Sequence, residues 1–77
     1  MYSKMFELID KELNSLNDNA LELKKIEIKG IKVKLVFLDK NDMKVKTIRY
    51  EMDWFAPEPK LKFIKVHFKP FNDKYFR

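Results

Sequence analysis

The sequence predicts an α+β domain, an N-terminal helix packed on a four-stranded antiparallel β-meander, and three observations carry that prediction. Apolar residues recur at helical spacing from Tyr2 to Leu16, and from Lys24 onward the period changes to two. Breaks rich in Gly, Asn, Asp or Pro then divide the remaining chain into four strand-length segments.

Tyr2, Met5, Phe6, Ile9, Leu13 and Leu16 share one helical face and leave Lys4, Glu7, Lys11, Asn14 and Asp18 on the other. A helix is therefore expected over about residues 3–17, with Ser3 placed to cap it and Glu7 four residues before Lys11. Asn17, Asp18 and Asn19 end it, because their side chains compete with the backbone for hydrogen bonds.

Strands are expected over about 24–28, 31–38, 43–54 and 60–69, followed by an aromatic tail, 70–77. A bulge-free register links them. With Lys29-Gly30 as a two-residue loop, Ile28 faces Ile31, Ile26 faces Val33, and Glu27 faces Lys32. With Asp39–Asp42 as the next loop, Leu38 faces Met43, Val36 faces Val45 and Val33 faces Ile48. Pro57 and Pro59 confine Phe55–Pro59 to a loop, and pairing Trp54 with Lys60 sets Tyr50 against Ile64 and Ile48 against Val66.

One sheet face then collects Ile26, Ile28, Ile31, Val33, Leu35, Phe37, Ile48, Tyr50, Met52, Trp54, Ile64, Val66 and Phe68, the expected core beneath the helix. The other collects Lys32, Lys34, Thr47, Arg49, Glu51, Asp53, Lys65, His67 and Lys69. Two apolar islands interrupt it: Val36, Leu38, Met43 and Val45 at the middle hairpin's tip, and Leu61 with Phe63 at the far end. The first island is why strict alternation stops at Leu35-Val36-Phe37-Leu38. Three covers suit it: the tail with Phe71, Tyr75 and Phe76, a second copy of the chain in a homodimer, or a different protein. A helix about 10 Å wide is also too narrow for four strands about 4.8 Å apart, so the tail aromatics are alternatively placed to fill a gap on the core side.

Composition bounds the function. Seventy-seven residues make one small domain, 1–77, and 45% hydrophobic content with a single Gly is too apolar for disorder. The N-terminus lacks the uninterrupted apolar stretch of a signal peptide, no run approaches a membrane span, and Cys is absent, which together lead us to expect a cytoplasmic protein. Residues 1–23 carry two lysines against five acids, a net of −3, whereas residues 24–77 carry fifteen bases against seven acids, a net of +8. Such a basic segment attracts anionic partners.

Catalysis is not expected. His67 is the only histidine, Ser3 and Ser15 belong to the helix, and no nucleotide-binding, zinc or nucleophile motif occurs. Glu51 and Asp53 share a face, but strand alternation places charges there without any chemistry. No cofactor or metal is expected either. The leading expectation is a non-catalytic protein-binding module, an inhibitor, immunity or regulatory factor of the kind phages and mobile elements encode, acting by occupying a partner's acidic surface. Its expected contacts are Lys32, Lys34, Val36, Leu38, Met43, Val45, Arg49, Phe63, Lys65, Tyr75 and Phe76, with Trp54 and Phe55 as further aromatic anchors. Single-stranded nucleic acid ranks second: the lysine face with Phe63 suits phosphates and a stacked base. Against it, only two of seventeen basic residues are Arg, and KGIKVKLVF, residues 29–37, has the Lys-Gly start of an RNP1 segment without its aromatics. The acidic amphipathic helix does not suit an anionic membrane.

Overall fold

The protein is described by a computed structural model over residues 2–71. Helix α1 (Tyr2–Ser15) precedes β1 (Leu21–Lys29), β2 (Lys32–Asp39), β3 (Lys44–Asp53) and β4 (Lys60–Pro70). The strands form one antiparallel sheet in chain order, so β1 and β4 are its edges. The architecture is the predicted α+β fold.

α1 buries Met5 and Ile9 against the sheet and packs Leu8, Leu13 and Leu16 at the margin of the core. Ser3 lies inside the first turn and does not precede it, and Glu7 pairs with Lys4 at 3.9 Å in place of Lys11. The helix stops where short polar side chains take over its backbone groups. The Ser15 hydroxyl donates to the Glu12 carbonyl at 2.8 Å, and the Asp18 carboxylate accepts the Ala20 N–H at 2.9 Å.

Both tight hairpins settle two residues away from the bulge-free register. The first loop is Gly30-Ile31, so Lys29 faces Lys32, Ile28 faces Val33 and Glu27 faces Lys34. The reason is backbone geometry. Gly30 has φ 63 and Ile31 is not in the positive-φ region, the pattern of a type II′ turn with Gly at its first central position. A Lys29-Gly30 loop would place a side chain where only glycine is unstrained. The second loop spans residues 40–43, so Leu38 faces Val45, Val36 faces Thr47, Leu35 faces Ile48 and Val33 faces Tyr50. Asp39 shapes it by accepting the N–H groups of Asn41 at 3.0 Å and Asp42 at 3.3 Å, and Met43 closes it with φ 50.

Each edge strand contains one bulge, and each bulge sits where the apolar alternation slips. In β1 the pairing shifts between Leu23 and Lys25, which brings Leu21 and Leu23 onto the same side as Ile26 and Ile28 and extends the strand three residues beyond its expected start. In β4 the pairing holds from Pro70 to Lys65, with Ile48 opposite Val66 as expected, and then shifts, so Tyr50 faces Phe63 where Ile64 was expected. The apolar pair Phe63-Ile64 is that slip in the sequence. A bulge inserts one residue and restores the phase, so Leu61 and Phe63 join Val66 and Phe68 on the helix side.

The core is built from the middle of the sheet. Val33, Leu35, Phe37, Ile48, Tyr50 and Met52 are buried under α1, each contributing roughly 1.5–3 kcal/mol by leaving water. Ile28, Trp54 and Leu61 pack at its margin. Ile26, Ile64, Val66 and Phe68, expected in the core, stay exposed, and Ile31 stands in the turn. One helix is too narrow for four strands, so much of both edge strands stays open.

Candidate binding surface

The sheet face away from α1 is organised as rows running across the strands. Paired residues in adjacent strands share a face, so the three registers join into continuous lines. One row is Glu27, Lys34, Arg49, Lys65; the next is Lys29, Lys32, Glu51, Lys62. Toward the hairpin tip follow Lys25, Val36, Thr47, His67 and then Glu22, Leu38, Val45, Lys69. All members of the first two rows except Lys62 line an open groove of about 860 Å³, together with Ile64.

Charge in the groove is unbalanced. Lys34, Arg49 and Lys65 are direct neighbours on three successive strands, an arrangement that costs roughly 0.2–1 kcal/mol per like-charged pair. Glu27 answers part of it, accepting from Lys25 at 2.8 Å and from Lys34. Hydrogen bonds from Lys25 and then Lys34 hold its carboxyl down to about 2, so it stays ionised at neutral pH. Among the described residues Lys29, Lys32, Arg49, Lys62 and Lys65 have no ion-pair partner within 4.0 Å. Glu51 lies between Lys32 and Lys62 in its row without closing on either.

Four of the residues expected to contact a partner, Lys32, Lys34, Arg49 and Lys65, are brought together here. Lys29 joins them in the groove, and Lys62 stands beside it at the end of the second row; the expected register placed Lys29 in a turn, and the Phe63-Ile64 slip was the signal for Lys62. Phe63 does not join them. It lies on the helix side, its ring edge-on to Tyr50 with centroids 6.2 Å apart, so the second apolar island is absent from this face. His67 faces Thr47 as expected. Asp53 is occupied as a loop cap, its carboxylate accepting the N–H groups of Phe55 at 3.1 Å and Ala56 at 3.2 Å.

The hairpin-tip island keeps three of its four members. Val36, Leu38 and Val45 face away from α1, with Val36 and Leu38 half-buried and Val45 only 4% exposed. Met43 leaves the island because the loop moved by one residue, and it stands 51% exposed in the turn. The chain exits β4 at this same tip, where the Phe71 N–H donates to the Met43 carbonyl at 3.0 Å. Tyr75 and Phe76 lie outside the described residues. Phe55, in the loop at the opposite end, is 99% exposed.

Among the described residues no cluster of three His, Asp or Glu is arranged to hold a metal, and no helix is long and apolar enough to cross a membrane. No protein-family model, curated protein or solved structure matches this chain.

Proposed function

We propose that this chain is a small non-catalytic binding module whose groove, away from α1, receives an acidic segment of another protein and blocks or regulates that protein by occupying it. The observation that carries the reading is the row Lys34, Arg49, Lys65, three adjacent cations of which two lack a carboxylate partner among the described residues. Adjacent like charges destabilise a sheet, and an acidic ligand removes that cost while gaining from it. A protein is favoured over a single strand of nucleic acid because the aromatic ring needed for base stacking, Phe63, is turned to the other side of the sheet. Glu27 and Glu51 in the groove add discrimination against a continuous phosphate backbone. A cytoplasmic location accords with a chain without cysteine.

Fluorescence anisotropy with a labelled oligoglutamate-rich peptide, a single-stranded oligonucleotide and a duplex, each at two salt concentrations, tests the reading. The peptide is expected to bind, and the double variant Lys34→Glu, Arg49→Glu to abolish that binding. Oligonucleotide binding that exceeds peptide binding at both salt concentrations would overturn it, as would peptide binding indifferent to the double variant.

A further inference from the structure

The groove has an open end. β4 is the longest strand, 11 residues, and among the described residues it has no strand on its far side. Every residue of β4 from Lys62 to Pro70 is exposed, whereas β1, the other edge, is half-buried at Leu21, Glu22, Glu27 and Ile28. An edge strand presents a line of unpaired backbone donors and acceptors, which native sheets either protect or use.

β4 also has two chemically distinct flanks. On the groove side stand Lys62 and Lys65, the last members of the two basic rows. On the helix side stand Phe63, Val66 and Phe68, 56%, 38% and 54% exposed, with Lys46 over the Phe68 ring at 5.8 Å. An added strand would place its side chains alternately on these two flanks. Acidic residues on one side would continue the rows beyond Lys62 and Lys65, and apolar residues on the other would shield three apolar side chains left exposed beside α1.

Charge decides between occupants. A second copy of β4 would set lysines beside lysines, the pattern by which edges resist self-pairing. The opposite pattern suits this edge. We infer that the acidic partner segment docks as a fifth strand on β4, in extended conformation, with acidic residues alternating with apolar ones. The inference rests on the proposed function and adds to it the conformation and pattern of the ligand.

The probe is an N-acetylated valine–glutamate alternating peptide of about eight residues, the length of an ordinary strand. Three companions accompany it: the same composition with all glutamates contiguous, and the alternating peptide N-methylated along one edge (every valine) or along the other (every glutamate). Amide exchange of the whole chain is followed by NMR. The alternating peptide is expected to bind, to slow exchange at alternate β4 amides between Leu61 and Phe68, and to lose about tenfold or more in affinity on N-methylation of one of its two edges, because the β4 carbonyls then lack donors. The contiguous peptide is expected to bind more weakly. Binding that survives methylation of either edge and protects no β4 amide, but is lost in Lys34→Glu, Arg49→Glu, would leave the groove reading standing and overturn the fifth strand. Absence of binding by all four peptides would overturn both. Sedimentation revealing a β4-mediated dimer of the protein alone would assign the edge to a second copy and overturn the inference.

Discussion

The Tyr50 hydroxyl donates a 2.7 Å hydrogen bond to the Glu12 carboxylate, tying the last turns of α1 to the centre of β3. Tyr50 is 38 residues from Glu12 in sequence, and its ring is otherwise buried among Val33, Ile48 and Met52. Burial first, and then the hydrogen bond and negative charge of Glu12, push the phenol far above its usual 10.0.

Tyr50→Phe is expected to lower stability by about 1.5–3 kcal/mol, the range for a hydrogen bond to a charged group, in urea unfolding at pH 7. In the parent protein the stability contributed by this hydroxyl is fully present below pH 10 and falls above it, because the unfolded tyrosine ionises first. The variant should lack that part of the alkaline decline. Equal alkaline slopes for the two proteins would refute the assignment.

Glu27 should titrate near 2 in an NMR pH series, well below the ordinary 4.5. Its depressed carboxyl stabilises the fold above pH 4.5 and loses that contribution as pH falls toward 2. Lys25→Met is expected to raise the midpoint further than Lys34→Met, since the Lys25 hydrogen bond is the larger influence.

Gly30→Ala is expected to cost about 1–2 kcal/mol, for a backbone reason alone. A methyl group there meets nothing within 4 Å, so the loss comes from holding an L-residue at φ 63. Circular dichroism melts would detect it, and an unchanged melting temperature would argue against the II′ turn.

Arg49→Gln should leave stability unchanged or slightly raised at low ionic strength, because it removes a cation set between Lys34 and Lys65. Any gain should vanish near 1 M salt, where charges are screened beyond about 3 Å. A loss above about 0.5 kcal/mol would mean that Arg49 supports the fold and that its place in the row needs no ligand to explain it. Leu35→Ala marks the opposite extreme. Leu35 is 0% exposed, and its truncation should cost about 2–5 kcal/mol, enough to unfold much of so small a domain.

The hairpin registers explain how much could be read in advance. Moving a strand by two residues keeps every side chain on its own face, so the alternation that correctly separated Val33, Leu35 and Phe37 from Lys32, Lys34 and Val36 was blind to the slip. Consequently Lys34 and Arg49 were legible as sharing a surface, while their direct pairing was not. Phe63 illustrates the other limit. A bulge reverses facing for all residues beyond it, and a bulge-free register carried Phe63 to the wrong side.

The sequence by itself determined one amphipathic helix, a four-stranded antiparallel meander in chain order, and a basic face opposite a helix-covered one, because these follow from local periodicity and turn residues. Tertiary structure decided which cations stand side by side, where each edge bulges, and which apolar residues stay uncovered. Those outcomes depend on interactions between segments: the single glycine's need for a positive φ, the drive to keep slipped apolar residues on one side, and the width of one helix against four strands.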